Sequence, residues 1–240
     1  MSAPHRVVSL VPSLTEAVAV TAPGLLVGAT DYCTHPAELD LPRVGGSKYP
    51  SVERVLALRP DLVLANVEEN RRSDVEALRA AGVPVLVTYP RTLDGAFAEL
   101  AAMFDALGVP APLWLDRARA AWEAPLPESM RRAVIPVWRR PWVVLGPDTF
   151  AGDLLRRLGV ANLYDDAAER YPRPPLDEIR ARAPELVVLP DEPYAFHAGD
   201  GPEAFPGVHC ALVSGRHLTW YGPSLIDARA VLTSQLRVAR

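Results

Sequence analysis

The chain has 240 residues, 49% of them hydrophobic and 22% charged, with a formal net charge of −4. This is material for about one or two globular domains with a substantial core. The mild acidity gives no electrostatic footing for nucleic acid or an anionic membrane surface, and no apolar run reaches the length of a bilayer-spanning helix.

In chain order, Val7–Leu10, ended by Pro12, is predicted as a first buried strand, and Ser13 or Thr15 starts a helix. A short strand at Leu25–Ala29 follows, then two unusual loop pieces, 30–36 and 42–50. Ser51 N-caps a short helix to Leu58. Leu62–Ala65 is a strand, and Asn66–Arg72 a polar loop. Ser73, with Glu76 three residues on, gives a capping box for a helix to Ala81, and Gly82 ends it. Val83–Thr88 is the next strand. Strand, helix and strand at this spacing make a βαβ unit with parallel strands. Leu93–Leu107 carries Phe97, Leu100, Ala101, Phe104 and Leu107 on one helical face. Pro112 opens another helix to about Ala124, and Pro125, Pro127 and Pro136 make the following connection irregular.

A second series begins at the strand Trp142–Leu145. A helix from the Thr149 cap to Leu158, a helix over Leu176–Ala183, and strands at Leu186–Leu189 and Val208–Val213 come next. A loop covers 214–223, and a last helix runs over Ser224–Val238. The pattern Val55–Leu64, helix then Pro then acid then apolar strand, returns at Ile179–Leu189, and the strand at Val7 is echoed at Val143. Two echoes in the same order predict two similar α/β lobes with parallel sheets. We expect an N-terminal lobe at 1–109, a helical linker at 110–138 and a C-terminal lobe at 139–240.

Ligands of open parallel sheets bind outside the carboxyl ends of the strands, and the loops predicted there are richly furnished. They hold Tyr32, Cys33 and His35; Asn66, Glu68, Glu69 and Asn70; Tyr89 and Arg91; Asp191, Glu192, Tyr194 and His197; and His217, Trp220 and Tyr221, while Gly45-Gly46 with Lys48 could approach an anion but lacks the phosphate-loop spacing. Cys33 and His35 stand at alternate positions, so in an extended segment both face one way, and thiolate with imidazole suits a transition metal. Two residues are half of a usual ligand set. Trp220–Tyr221 lies between glycines, and two readings fit it: packing on the last helix, or a stacking face for a ligand. An enzyme with Cys33 as nucleophile and His35 as base is the rival from another class; no oxyanion-hole signature or orienting third residue accompanies it. Cys33 and Cys210 fall in different lobes and are expected as free thiols.

Five ordered pieces, Arg6–Glu16, Leu26–Cys33, Pro42–Gly46, Val52–Ala65 and Ala81–Val85, together with the Trp220 loop, resemble the helical-backbone (class III) solute receptors. These are the iron-chelate and vitamin B12 periplasmic-binding family of ABC importers. The resemblance covers nearly the whole chain. It implies two Rossmann-like α/β lobes joined by a long linker helix, here the Pro112 segment. It also implies a non-enzymatic receptor with no catalytic residues, taking a corrinoid (cobalamin) or iron chelate in the cleft between the lobes and requiring no cofactor beyond that ligand. Tyr32 and Trp220 stand where B12 receptors place aromatics. Cys33, His35, Lys48, Glu68, Glu69 and Glu192 are the expected polar or metal contacts, with Tyr49, Asn66, Asn70, Tyr194 and Tyr221 beside them. Ser47 stands near the place of a loop tryptophan of those receptors. The two acids that dock them on an ABC permease correspond to Arg72 and Gly222, so a permease partner is the less secure part of the resemblance. The Cys33–Pro36 and Glu68–Arg71 loops resemble a signal-less branch of the family. The N-terminus lacks a signal-peptide pattern, which predicts a cytoplasmic protein, or an extracytoplasmic one if the true start lies upstream.

Overall fold

The computed structural model describes residues 3–237. It consists of two compact units. The first takes the described residues up to Tyr89, Ala96–Asp116 and Tyr221–Pro223; the second takes Pro90–Gly95, Arg117–Trp220 and the described residues from Ser224 on.

Unit 1 is a four-stranded parallel sheet of β1 (Val7–Ser9), β2 (Leu26–Ala29), β3 (Leu62–Asn66) and β4 (Val85–Thr88), in the order β2-β1-β3-β4. All five residues of β3 are buried, as its unbroken apolar run requires of a central parallel strand. Helix α1 (Pro12–Thr21) follows β1, with proline in its first turn and Val11 in the cap position rather than a serine or threonine side chain. Ser51 caps α2 (Val52–Ala57) as expected, accepting from the Arg54 amide at 3.2 Å. The capping box at Ser73 does not form. Helix α3 (Arg72–Ala80) begins two residues earlier, with Arg71 at its N-cap and no side-chain cap. Two charge pairs replace the box: Arg71 grips Asp74 with two bonds of 2.8 and 2.9 Å, and Glu76 takes Arg72 at 2.6 Å. Val8, Leu10, Val44, Val55, Val63 and Leu78 form the core against α2 and α3.

Unit 2 repeats this topology. Its sheet is β5 (Arg131–Val134), β8 (Val160–Asn162), β9 (Leu186–Pro190) and β10 (His209–Val213), ordered β10-β9-β5-β8 with all neighbours parallel. In each unit the first strand pairs with the second and third, and the third pairs with the fourth. The counterpart of β1 is therefore β5, not the expected strand at Val143. Val143–Val144 is β7, which pairs antiparallel with β6 (Pro136–Trp138) in a separate ribbon. The strands at Leu62 and Leu186 lie in different sheets.

The stretch 110–138 is not a long linker helix. It carries α5 (Leu113–Ala121) and then β5 and β6. The longer helix is α4 (Leu93–Ala106), whose first residues, to Gly95, belong to unit 2 and the rest to unit 1. Unit 2 also holds α6 (Phe150–Arg157), α7 (Leu176–Ala181) and α8 (Gly215–Thr219). The last of these lies in the expected loop 214–223, started by Ser214. The last helix, α9, runs over Leu225–Arg237, and the expected end at Val238 lies outside the described residues. Cys33 and Cys210 are buried free thiols, one in each unit.

The start of α4 is fixed by Asp153 of α6. One carboxylate oxygen accepts from the Leu93 amide at 2.9 Å and from Arg157 at 3.1 Å; the other accepts from Arg156 at 2.7 Å. Burial works to raise the Asp153 pKa, but the Leu93 N–H and the two guanidiniums outweigh it and hold the carboxyl below its usual value. The unfolded chain therefore binds the proton more tightly. Asp153 adds stability that is full above the ordinary aspartate value, about pH 4, and lost as pH falls through the lower folded value. Asp153→Asn should cost about 1–2 kcal/mol at neutral pH. It should also flatten the acid limb of stability against pH, measured by urea unfolding from pH 3 to 7. An unchanged acid limb would refute this assignment.

Candidate functional site

In unit 1 the loops after β2 and β3 meet in a built frame. Arg43 spans the first loop from within, donating to the carbonyls of Thr30 at 2.8 Å, Cys33 at 2.9 Å and Leu39 at 3.1 Å. Asp31 N–H donates to Gly45 O at 2.9 Å. Gly45 has φ +98°, a conformation costly for any side chain, and it opens the narrow turn that brings Pro50 back beside it. At Gly46 a Cβ would stand 3.2 Å from a ring carbon of Tyr32, so the missing side chain lets that ring lie close to the backbone.

Three contacts clip this turn to the loop after β3. Asn70 Nδ2 donates to Ser47 O at 2.9 Å, Lys48 Nζ donates to Glu68 O, and the Arg71 guanidinium lies 4.6 Å from the centre of the Tyr49 ring. Tyr32 is 66% exposed and Tyr49 71%. Two aromatic side chains are thus left in solvent on a rigid loop frame beyond the carboxyl ends of β2 and β3. The sequence points to Tyr32, Lys48, Tyr49 and Glu68 and to the double glycine at 45–46; it does not mark Arg71, which reads there as part of a solvated charged run.

Several expected site residues are consumed by structure. Asn66 and Asn70 are buried and bond each other, the Asn66 amide N–H donating to Asn70 Oδ1 at 2.8 Å. Asn66 Nδ2 donates to Tyr221 Oη at 2.7 Å, and Tyr221 is buried with its hydroxyl also 2.9 Å from Thr88 Oγ1. Burial, then the nearby Glu69 charge, pushes the Tyr221 phenol up. Glu69 is half-buried, and its backbone N–H donates to Asn66 Oδ1 at 3.3 Å.

Cys33 is fully buried, its Sγ 3.0 Å from Thr15 Oγ1 and 3.2 Å from Thr30 Oγ1. Burial pushes its thiol up, the opposite of what a nucleophile needs. The His35 ring turns to Thr34 Oγ1 at 3.1 Å. Among the described residues no three or more His, Cys, Asp and Glu side chains gather as a metal set, so Cys33 and His35 do not grow into one. Arg72 is exposed and paired with Glu76, and a Cβ at Gly222 would meet Ser13 O at 3.0 Å.

In unit 2 the corresponding strand ends hold Asp191, Glu192, Tyr194 and Trp220. Asp191 Oδ1 accepts from the Gly215 amide at 2.6 Å, fixing α8. Glu192 is pushed up by burial and by Asp191, against the pull of the Trp220 indole N–H and Arg216. Trp220, expected as an open stacking face, is only 8% exposed, with the Arg216 guanidinium 5.6 Å from its ring centre. Tyr194 donates to Asp200 Oδ2 at 2.5 Å and packs edge-on to Trp138, their centroids 5.6 Å apart.

The sequence pattern of the family described as periplasmic binding protein matches residues 7–110. The vitamin B12-binding protein of Pectobacterium atrosepticum is 26% identical over 206 residues, 78% of this chain and 71% of that protein. Among solved structures, the periplasmic vitamin B12-binding protein BtuF of Vibrio cholerae superposes with TM-score 0.80 at 20% identity, over 98% of this chain and 97% of that one. A periplasmic heme-binding protein of Pseudomonas aeruginosa does so with TM-score 0.76 at 26% identity, over 99% and 94%. The doubled parallel topology and these likenesses over nearly the whole length agree: residues 7–110 carry the periplasmic-binding-protein sequence pattern, and the chain as a whole shares the fold of these periplasmic solute receptors.

Proposed function

We propose that this receptor binds a flat metal-containing macrocycle or chelate, of the corrinoid, heme or iron-chelate type, against the Tyr32–Tyr49 face of unit 1. The observation that carries the reading is the pair of solvent-facing tyrosines on a frame that Arg43, Gly45, Gly46 and Asn70 hold still. A planar ligand gains contact area on such rings at small entropic cost, since each has two side-chain torsions to fix. The relatives carry the same ligand class in their names, vitamin B12 in one set and heme in another. In this reading the metal arrives inside the ligand's own ring, and the chain binds cargo rather than catalysing.

The periplasmic naming of the structural relatives supports an extracytoplasmic place over the cytoplasmic expectation, with an ABC permease as partner. Arg72 at one docking position then calls for an acidic rather than a basic partner side chain.

The test is titration with cyanocobalamin and with hemin, followed by absorbance and tryptophan fluorescence. Tyr32→Ala should weaken binding of whichever ligand is taken by roughly 1–3 kcal/mol, the range for stacking of a flat base on an aromatic side chain. Melting should be unchanged, because the ring is mostly in solvent. Wild-type affinity in Tyr32→Ala would remove the face from the site.

A further inference from the structure

We infer that the Tyr49 edge of this face recognises an anionic group on the ligand, a carboxylate on the rim of a planar macrocycle, through Arg71 and Lys48. The inference rests on the macrocycle reading above and adds the chemistry of its rim. Arg71 is at once oriented and available. Its Nε and Nη2 edge is held by both oxygens of Asp74, which turns the Nη1 side of the fork away from that carboxylate. The Arg71 side chain is 45% exposed, and its planar group lies 4.6 Å from the Tyr49 ring centre, which fixes its tilt without using its donors.

Lys48 stands next to Tyr49 in the chain, on the other side of the junction between the two loops. An ammonium has three donors, and the Glu68 carbonyl takes one of them. Two cations therefore stand where the two loops join, Arg71 against the exposed Tyr49 ring and Lys48 next to Tyr49 in the chain, and the Lys48–Glu68, Ser47–Asn70 and Tyr49–Arg71 contacts keep the loops in register. Asp74 balances part of the Arg71 charge, and Glu68 and Glu69 lie in the same loop. The edge thus selects an anion by directed donors rather than by net positive field. Charge-assisted N–H···O bonds from a pre-tilted guanidinium suit a carboxylate and gain little from a neutral amide or ester.

The experiment compares acid and neutral forms of the same ring. Cobyrinic acid, with carboxylates on the corrin rim, is titrated beside cyanocobalamin, with amides there; hemin is titrated beside its dimethyl ester. The expected result is tighter binding of the acid member of at least one pair by about tenfold or more, as charged hydrogen bonds imply. That preference should shrink with added salt. It should fall to near unity in Arg71→Gln and in Lys48→Gln, whereas Tyr32→Ala weakens acid and neutral forms alike. Lys48→Gln is the safer variant, because Arg71→Gln also releases Asp74; both are checked by melting. Equal affinity for acid and neutral forms in the wild type, or a preference unchanged in both variants, overturns the anion edge and leaves the macrocycle face standing. Absence of binding in both pairs overturns the two together.

Discussion

Trp220→Ala is expected to cost about 3–5 kcal/mol of unfolding free energy, the range for truncating a large buried aromatic. Trp220 closes α8: its amide N–H donates to the Arg216 carbonyl at 3.0 Å, and its ring is covered to all but 8%. The indole N–H bonds the Glu192 carboxyl, which sits where burial and Asp191 already work against its charge. Removing the indole takes away a packed surface and also the donor that makes this carboxyl tolerable. Trp220→Phe keeps most of the first and loses the second, so it should cost less, about 1–2 kcal/mol. Urea unfolding of both variants, with titration of cyanocobalamin and hemin into the folded fraction, separates packing from ligand stacking. A Trp220→Ala protein of wild-type stability with collapsed affinity would restore the stacking role that its place in the sequence suggests.

Much of the fold was legible because parallel sheets write themselves in unbroken apolar runs. Such runs mark strands at Leu62–Ala65 and Leu186–Leu189, with the helix–Pro–acid lead-in of each as a second signal, and the structure extends each by one residue, to Asn66 and Pro190. Strand β5 was missed because its sequence, Arg131–Val134, opens with two arginines and lies between Pro127 and Pro136. Arg131 extends its guanidinium to the Leu236 carbonyl, and the Arg132 backbone N–H donates to Glu185 Oε2 at 3.0 Å; these partners are distant in sequence. The sequence echo of β1 therefore falls on Val143, which has the right composition and the wrong sheet.

The site was legible in part, for a different reason. Side-chain chemistry is local and can be read, but whether a polar group is free depends on partners that sequence does not reveal. Tyr32, Lys48 and Tyr49 come together as loop neighbours. Arg71 belongs with them only because two loops cross, so nothing in its own surroundings marks it. Cys33 and Asn66 have the right chemistry for a site, and each has been taken up by a fold partner: threonines at 15 and 30 for the thiol, and Tyr221, 155 residues away, for the amide.

Asn66→Ala is expected to destabilise the protein by about 2–4 kcal/mol, because it strands several buried groups at once. Asn66 stands at the end of β3, and every polar atom it has is used. Oδ1 accepts from the Glu68 amide at 2.7 Å and turns the chain out of the strand. Nδ2 donates to Tyr221 Oη at 2.7 Å and to Thr88 Oγ1 at 3.3 Å. Its backbone N–H goes to Asn70 Oδ1, and its carbonyl accepts from the Asn70 amide at 3.0 Å. Asn70 in turn donates to Ser47 O, so the hub at the strand end also holds the turn that carries Lys48 and Tyr49. Asn66→Asp separates the two functions of the side chain. It keeps the acceptor that turns the chain, but it has no N–H for Tyr221 and Thr88 and places a charge in a buried site beside Glu69. Its loss should therefore equal or exceed that of alanine at neutral pH and lessen as the solution is acidified toward protonation of the new carboxyl. Unfolding free energies for the two variants at pH 7 and pH 5 provide the measurement. A cost below about 1 kcal/mol for both would mean that the hub contributes little, and Asn66 would return to the list of residues free to meet a ligand.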